Sequence, residues 1–209
     1  MPAQESAARH VVDQLSETTT HALAFLRLWL CDAQSAVDSD AIAMGLSTVG
    51  PDGRPTARVV SLKLLEDDSL VFTTALWTRK ARELEQNPNV ALLFHWPELG
   101  RQVQITGRAV LADRGLAKVL FAERERSHRL QTLVSRQGEP IEDLGPLRER
   151  LRGLEGKLAG RPVPCPPDWG AVRVFPDAVE FWQEAADRLH DRLLYERIDG
   201  GWRRTRLAP

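Results

Sequence analysis

Two arginines and a histidine occupy alternate positions in the pentapeptide RLHDR, residues 188–192. The apolar residues around them favour a strand, and a strand points alternate side chains to one face. Arg188, His190 and Arg192 are therefore predicted to lie side by side, where like charges repel. Solvated edge strands tolerate such charges, whereas a bound anion would offset the repulsion. The pentapeptide therefore indicates either a solvent-exposed edge strand or an anion-binding site.

A second set of cations begins in RVVSLK, residues 58–63. Strand alternation places Arg58 and Lys63 on opposite faces. An arginine and a lysine at the two ends of an apolar strand are typical of side chains that extend past it into water. Taken alone, this strand gives no reason to expect a ligand.

The segment TRKARELE, residues 78–85, predicts a phosphate site at the start of a short helix. Thr78 is expected to cap that helix, and Arg79 and Lys80 follow at once. Cations at a helix amino terminus oppose the helix dipole, but free backbone N–H groups and cations together favour an anion such as phosphate. Thr73 and Thr74, just upstream, would add two hydroxyl donors.

A few further residues are candidates for contact with a planar ring. Gln102 and Gln104 alternate with apolar residues in GRQVQITG. Such glutamines are usually solvated, but an amide has both a donor and an acceptor for the edge of a heterocycle. Trp182 in EFWQ is of a type that most often packs in a core. His95 and His128 stand alone, and a lone histidine is more often an ordinary polar group than a catalyst.

The composition excludes several classes of protein. Basic and acidic residues number 28 and 29, which argues against a nucleic-acid partner bound through net charge. Cys31 and Cys165 lack metal-ligand spacing, so we expect neither a metal site nor a disulfide framework. The sequence contains no Walker loop, Gly-rich dinucleotide fingerprint or Ser-His-Asp arrangement.

The longest apolar run, ALAFLRLWLC, is interrupted by Arg27 and is too short to cross a bilayer. The amino-terminal segment is polar and lacks the apolar centre of a signal peptide. We therefore expect a cytoplasmic protein without membrane contact. Residues 1–20 are expected to form a flexible amino terminus ahead of a single domain over 21–209.

The expected elements are strands, then helices, then strands again. After a first helix over 21–36, alternation and turn residues predict strands within 41–50, 56–66, 69–75, 89–96 and 101–112. Two later segments are charged, leucine-punctuated and helical, namely 113–134 and 140–160. Strands return within 171–183, 188–197 and 202–209, and we expect them to complete the first sheet. This order predicts an α+β fold with an antiparallel barrel or sandwich.

Taken in order, these segments resemble the pyridoxamine/pyridoxine 5′-phosphate oxidases. The resemblance covers roughly residues 40–209 and is carried by RVVSLK, FTT, TRKARELEQNP, ALLFHWPELGRQV, VSRQ, EFWQ, RLHDRLLYER and GGWRRTRLAP. It implies an FMN-binding split β-barrel, antiparallel and Greek-key-like, with flanking helices. It also implies a homodimer with FMN at the interface between the two copies.

The residues that the resemblance implies for FMN contact lie in several blocks. They are Arg58, Val59, Val60, Ser61, Leu62, Lys63, Thr73, Thr74, Arg79, Lys80, Gln102, Gln137, Trp182 and Arg192. Cations and hydroxyls would bind the phosphate, and the glutamines and tryptophan would bind the flavin ring. Thr73 stands in place of the family's tyrosine and Gly138 in place of its serine, so one hydroxyl contact is absent from the pattern.

The resemblance also answers the question that RLHDR raises. It implies that Arg188 and His190 lie over the substrate ring as catalytic residues, and that Arg192 faces the flavin. The implied reaction moves a hydride from an anionic small molecule to FMN, and O₂ then reoxidises the flavin and yields H₂O₂.

The site for the substrate's anionic group departs from the family pattern. The family's lysine, tyrosine, arginine and serine correspond to Lys63, Leu120, Arg124 and His128. Lys63, Arg124 and His128 would still form a cationic pocket for a dianion or for carboxylates. This leaves pyridoxine or pyridoxamine 5′-phosphate, or the carboxylated dihydro-tricycles of the related phenazine-biosynthesis oxidases. The two lost neutral donors favour slightly a specialised-metabolism oxidase of the second type.

Two other functions stay open. A split-barrel protein can hold FMN without turnover, as a carrier or sensor, but a carrier needs no substrate clamp such as Arg188 and His190. An NAD(P)H-dependent flavin reductase would use the cationic pocket for a dinucleotide phosphate. Bleaching of the flavin by NAD(P)H alone would identify the reductase.

Overall fold

The computed structural model describes residues 20–37 and 41–209. Within them the chain forms one curled, fully antiparallel sheet. Its strands are β1 Ala43–Val49, β2 Pro55–Ser61, β3 Leu64–Leu65, β4 Leu70–Ala75, β5 Asn89–Trp96, β6 Arg101–Leu111, β7 Trp169–Gln183, β8 Asp191–Ile198 and β9 Gly201–Leu207. Their spatial order is β2-β1-β5-β6-β7-β4-β3, and β8 pairs with both β7 and β9.

Helices flank this sheet. Within the described ranges the α-helices are α1 Ala22–Val37, α2 Arg79–Gln86, α3 Arg114–Glu123, α4 Arg126–Val134 and α5 Gly145–Lys157, and a 3₁₀ turn covers Pro97–Leu99. The helix α2 joins β4 to β5, and α3 to α5 separate β6 from β7. The expected α+β order is confirmed, and the carboxyl-terminal strands complete the first sheet.

The main core lies between α1 and one face of the sheet, which we call the inner face. Buried residues alternate along β1, β5 and β6, as expected for strands with one buried face. The inner-face residues include Met44, Leu46, Leu92, Phe94, Val103 and Ile105. Phe25 and Trp29 of α1 contact Phe181 of β7, with ring centroids 4.5 and 5.2 Å apart.

The long strand β7 connects the two parts of the sheet. One of its edges pairs with β6 along most of its length, while β4 and β8 pair with its start and its end. A bulge shifts the β6–β7 register between Thr106 and Gly107. A Cβ at position 107 would lie 2.3 Å from the carbonyl oxygen of Phe175. Glycine therefore permits the close backbone approach that the bulge requires.

A second apolar layer covers the start of β7 and the neighbouring β4. Ala117 and Leu120 of α3 pack with Val71 and Ala171. Phe121 meets Trp169 edge to face, with ring centroids 5.8 Å apart. This layer fixes α3 and α4 beside the strand that leads into α2.

Some expectations differ from the structure. The strand expected over 188–197 begins at Asp191, so the prediction that Arg188 and His190 belong to a strand is wrong. His190 nevertheless contacts Trp182, the cross-strand partner of Arg192. Arg188 has a φ of 64°, which is incompatible with a strand. The flexible terminus expected over 1–20 lies outside the described residues, except for Thr20. No helix in the described part of the chain is long and apolar enough to cross a membrane.

Candidate active site

A buried carboxylate, Glu83, organises the cations of the expected phosphate site. It is 4% exposed and lies on α2, one turn after Arg79, whose Nε donates to Glu83 Oε1 at 2.7 Å. The hydroxyls of Thr48 and Thr56 donate to Glu83 Oε2 at 2.5 and 2.8 Å. Burial by itself raises the pKa of Glu83, but these hydrogen bonds and the charge of Arg79 outweigh it and bring the pKa to about 2.

Arg58 belongs to the same cluster and does not extend into water. Its Nη1 donates to Thr48 Oγ1 and its Nη2 to Thr56 Oγ1, both at 2.6 Å. Nη2 also lies 3.5 Å from Glu83 Oε2. Burial lowers the pKa of Arg58, and the charge of Glu83 offsets part of this change. The expectation that Arg58 reaches past its strand into solvent is therefore wrong.

Lys80 contributes a buried ammonium group next to this cluster. Its side chain is 9% exposed and Nζ donates to Thr74 Oγ1 at 3.3 Å. Burial and then the charge of Arg58 lower the pKa of Lys80. Among the described residues Lys80 forms no ion pair or hydrogen bond with a carboxylate, so an anion here would supply a missing counter-charge.

The helix α2 begins at Arg79 as expected, although its cap differs from the expectation. The Thr78 hydroxyl forms no capping bond to the helix and donates instead to the Ala75 carbonyl at 2.8 Å. It also lies 3.2 Å from Thr74 Oγ1. The first N–H groups of α2 therefore have no side-chain cap at Thr78, which suits an anion at this position.

The residues expected at the flavin ring lie in a row on the outer face, opposite to the core. Gln102 of β6 pairs with Trp182 of β7, and Trp182 pairs with Arg192 of β8. Arg192 Nη2 lies 2.7 Å from Glu180 Oε1, two residues before Trp182 on the same face. The sheet therefore brings these three predicted residues together, and Glu180 balances the charge of Arg192.

The two expected catalytic residues lie in the loop between β7 and β8. The His190 ring contacts Trp182, with centroids 4.7 Å apart. The backbone N–H of Ala185 donates to His190 Nδ1 at 3.2 Å. In the neutral ring the proton is therefore on Nε2, which can act as a donor. Arg188 is exposed, and its N–H donates to the Ala185 carbonyl at 3.0 Å.

Arg124, expected at the substrate's anionic group, is half-buried at the end of α3. Its guanidinium lies over the Trp169 ring at 4.3 Å and donates to Thr132 Oγ1 at 2.8 Å. Burial lowers the pKa of Arg124. A stacked and hydrogen-bonded guanidinium has few free orientations, so its remaining N–H groups are preorganised for an anion.

The other expected substrate contacts differ in burial. Leu120 is buried one turn before Arg124, and Leu64, which follows the exposed Lys63, packs on the cluster containing Leu120. His128 is exposed on α4, with Nε2 4.0 Å from a Glu125 carboxylate oxygen. Leu64 therefore places the backbone at Lys63 beside α3, and Arg124 lies at the end of that helix, whereas His128 faces solvent.

The remaining expected FMN contacts lie along β2, β4 and one loop. Val59 and Ser61 are exposed, Val60 and Thr73 are partly buried, and Leu62 is buried. Gln137 is exposed in the loop after α4, where Gly138 has a φ of 93°. Glycine adopts this φ without the cost that serine would have, which gives a physical reason for the departure from the family pattern.

The expected FMN contacts form two separate groups. The phosphate group, comprising Arg58, Thr74, Arg79 and Lys80, lies on the inner side near the start of β7. The ring group, comprising Gln102, Trp182 and Arg192, lies on the outer face at the end of β7. Thr74 pairs with Gly170, twelve residues before Trp182 on the same strand. A straight strand of that length would span about 40 Å. Because the two groups also lie on opposite faces of the sheet, we expect that one chain does not present both to one small ligand.

Sequence reasoning missed the acidic residues that hold these cations. Glu83 follows Arg79 by four residues, a spacing that predicts a helical ion pair, so this pair was detectable. Its bonds to Thr48 and Thr56 arise from the pairing of β1 with β2 and carry no local pattern. The Glu180–Arg192 pair likewise depends on the β7–β8 register.

Comparison with known proteins identifies the chain's relatives. Residues 32–148 match the family model described as pyridoxamine 5′-phosphate oxidase. Residues 169–209 match the model described as the pyridoxine 5′-phosphate oxidase C-terminal dimerisation region. The chain is 49% identical over 181 residues to a pyridoxine/pyridoxamine 5′-phosphate oxidase of Rubrobacter xylanophilus, covering 87% of this chain and 83% of the relative. A Gluconobacter oxydans oxidase of the same name is 42% identical, covering 89% and 93%.

Solved structures agree with these matches. PhzG from Burkholderia lata 383, in complex with tetrahydrophenazine-1-carboxylic acid, is 31% identical and has a TM-score of 0.88, over 93% of this chain and 95% of that one. A pyridoxamine 5′-phosphate oxidase-related FMN-binding protein from Nostoc punctiforme has a TM-score of 0.73 at 22% identity, over 89% and 96%. The expected split β-barrel is confirmed by these likenesses.

The fold and the family matches together define an FMN-dependent oxidoreductase built on a split β-barrel. The chain belongs to the pyridoxamine 5′-phosphate oxidase family. Its activity is that of a flavin oxidase of this family. The roles of the individual site residues stay predictions, and the inner and outer groups described above are where those predictions place the cofactor.

Proposed function

We propose that this protein oxidises pyridoxine 5′-phosphate or pyridoxamine 5′-phosphate to the aldehyde. The observation that carries this proposal is Arg124, whose half-buried guanidinium is fixed by Trp169 and Thr132. Fixed guanidinium groups bind phosphate with two parallel hydrogen bonds. The sequence pattern slightly favours a phenazine-type substrate. The present proposal is supported instead by relatives 42–49% identical that are named pyridoxine/pyridoxamine 5′-phosphate oxidases.

The residues present fit FMN. Lys80 is a buried ammonium that bonds to the Thr74 hydroxyl and lacks a carboxylate partner within the described chain, so the FMN phosphate would provide its counter-charge. Gln102 and Trp182 would hold the ring system from the outer face. When bound, FMN accepts a hydride and passes the electrons to O₂.

The protein's own residues would orient the substrate. Arg124 and Lys63 would hold the anionic group, which fixes the distance of the ring from the flavin-binding row. Arg188 would lie over the substrate ring, and His190, supported by Trp182 and by the Ala185 N–H, would present Nε2 to the reacting substituent. These groups supply orientation and a proton-transfer partner.

A homodimer would complete this site. The inner and outer groups of one chain lie on opposite sides of the sheet, and a second copy would bring its ring group to the first copy's phosphate group. The outer face carries exposed apolar residues that suit such contact: Val59 is 72% and Leu93 41% exposed. They flank Gly45 in adjacent strands, and contiguous apolar surface of this kind marks an interface. The match of residues 169–209 to a dimerisation region supports this assembly.

The first test is anaerobic reduction of the FMN-loaded protein by pyridoxine 5′-phosphate, monitored through the absorbance of the flavin. We expect rapid bleaching of the flavin as pyridoxal 5′-phosphate forms. Air should then restore the flavin absorbance and yield H₂O₂. Arg124→Gln should raise the KM for the phosphorylated substrate by roughly tenfold or more, because a charge-assisted pair is lost. Lys118→Gln, an exposed cation on α3, is the control and should leave KM unchanged. The absence of bleaching, with FMN demonstrably bound, would contradict the proposal.

A second candidate is the oxidation of a carboxylated dihydro-tricycle. It is favoured by the buried Leu120 and exposed His128, which replace the neutral donors implied for phosphate, and by the likeness to PhzG. Dihydrophenazine carboxylates in the same anaerobic assay would test it. Bleaching by these compounds and not by pyridoxine 5′-phosphate would identify this function. The location in the cytoplasm stays a prediction.

A further inference from the structure

The hydrogen bonds around Glu83 connect two cations, Arg58 and Arg79, through one carboxylate. Arg79 donates directly to Oε1 at 2.7 Å. Thr48 and Thr56 each give their single hydroxyl proton to Oε2 and accept a hydrogen bond from Arg58 on a lone pair. A hydroxyl that donates to a carboxylate has its lone pairs directed away from it. Glu83 therefore fixes the direction in which both threonines accept, and with it the position of Arg58.

Glu83 is also needed for charge balance, because three cations lie close together at this site. Arg58, Arg79 and Lys80 are three cations, and burial and then the charge of Arg58 lower the pKa of Lys80. The buried Glu83 carboxylate pairs with Arg58 and Arg79, so the four side chains together carry a net charge of plus two. That is the charge which best complements a phosphate dianion.

We propose that Glu83 is a positioning residue for the FMN phosphate, holding Arg58 and Arg79 in the arrangement that binds it. The proposal rests on the proposed placement of the FMN phosphate at this cluster. Glu83 would not touch FMN, since its two oxygens are occupied by Arg79, Thr48 and Thr56. Its role would be to fix the cations before the cofactor arrives.

If Glu83 is a positioning residue, its removal should change the FMN affinity in the direction opposite to the one that simple electrostatics predicts. A carboxylate near a phosphate repels it, so removal of a mere bystander charge would tighten FMN binding. Removal of a positioning residue would loosen it, because Arg58 and Arg79 lose their fixed geometry. Glu83→Gln distinguishes the bystander role from the positioning role. The amide nitrogen cannot accept a hydrogen bond, so either Arg79 or the threonines lose their acceptor.

The experiment is a titration of the apo protein with FMN and, separately, with riboflavin, which lacks the phosphate. Binding is monitored through the quenching of flavin fluorescence. For Glu83→Gln we expect the FMN Kd to rise by roughly tenfold or more, about 1.4 kcal/mol, and the riboflavin Kd to change less than about twofold. Glu85→Gln, an exposed residue on the same helix, is the matched control and should leave both Kd values unchanged. No substrate is present, so the result is independent of which ring compound is oxidised.

Three results would overturn the proposal. An unchanged or lower FMN Kd would show that Glu83 is a bystander, and an equal loss of FMN and riboflavin binding would show a general structural role. A wild-type protein that does not prefer FMN to riboflavin would overturn the phosphate placement itself, and Glu83's role with it.

If Glu83→Gln does not fold, Thr56→Val is the alternative variant, because it removes one link between Glu83 and Arg58 while keeping both charges. It should weaken FMN binding and leave riboflavin binding unchanged. The absence of such a selective loss would equally contradict the proposal.

Discussion

Arg188 combines an expected catalytic role with a strained backbone. Its φ of 64° lies in the left-handed region, which costs a residue with a side chain about 1–2 kcal/mol. The turn is held by the Arg188 N–H bond to Ala185 and by the Leu189 N–H bond to the Asp187 carboxylate at 3.1 Å. Retention of an arginine at this cost is expected where the side chain has a function.

Two substitutions at position 188 separate strain from function. Arg188→Ala and Arg188→Gly both remove the guanidinium, and both should leave FMN bound while slowing its anaerobic reduction by substrate. Only glycine relieves the backbone, so Arg188→Gly should be more stable than Arg188→Ala by about 1 kcal/mol in denaturant unfolding. Leu189→Ala, an exposed neighbour, is the control for flavin reduction. An unchanged reduction rate in both variants would remove Arg188 from the mechanism.

Glu66 makes part of the stability depend on pH. A bidentate pair with Arg173, at 2.8 and 3.0 Å, and a hydrogen bond from Ser69 bring its pKa from 4.5 to about 2. Because the folded pKa is lowered, the stabilisation is fully present above about pH 4.5 and is lost as the pH falls towards 2. Both side chains are partly exposed, so solvent screening reduces the contribution.

Glu66→Gln should therefore lower the free energy of unfolding by about 1 kcal/mol at pH 7. The difference from the wild type should shrink as the pH falls below about 4.5 and should vanish only below pH 2, where the wild-type carboxyl also becomes neutral. Denaturant unfolding at several pH values measures this, with the exposed Asp67→Asn as the control. A difference that does not depend on pH would show that Glu66 acts through packing and not through its charge.

At the scale of the elements, the β6–β7 bulge depends on Gly107. An added Cβ would lie 2.3 Å from the Phe175 carbonyl oxygen and 2.8 Å from Pro176 Cα, and backbone atoms cannot move aside as a side chain can. Gly107→Ala should destabilise the protein by about 2 kcal/mol or more. Gly153→Ala, in the open middle of α5, should instead stabilise it by about 0.5–1 kcal/mol. Thermal unfolding of both variants checks the prediction; a tolerated Gly107→Ala would mean that the bulge is not fixed by this contact.

The elements themselves were largely predictable because their signals are local. The strand β5 has the predicted bounds, 89–96, since its apolar residues alternate and Asn-Pro precedes it. The same alternation failed in RLHDR, where the Asp187 carboxylate caps a turn that places Arg188 in the left-handed region. Periodicity does not report such side-chain bonds to the backbone, so a loop of this kind resembles a strand in sequence.

The sequence predicts the residue types of the candidate site, but it does not reveal which acids balance their charges. Arg79 and Lys80 at a helix start predict a phosphate site there, and the structure places both at the start of α2. Their organising acid, Glu83, takes two of its partners from β1 and β2, which lie more than twenty residues away in sequence. Such long-range contacts follow from strand register, and a single sequence does not reveal register between distant strands.

At the scale of the whole molecule, the predicted FMN contacts lie on two faces of the sheet, and the proposed homodimer would bring them together in one site. Suppose that each site consists of the phosphate group of one copy and the ring group of the other. A homodimer of Lys80→Ala chains and a homodimer of Trp182→Ala chains should then both fail to bind FMN. A hybrid dimer of one chain of each kind, isolated through two different tags, would contain one site with both changes and one site with neither. It should therefore bind about half the FMN of the wild type. A hybrid of two differently tagged Lys80→Ala chains is the control and should stay empty. If each chain binds FMN by itself, the mixed hybrid will also stay empty, because neither chain then holds a complete site.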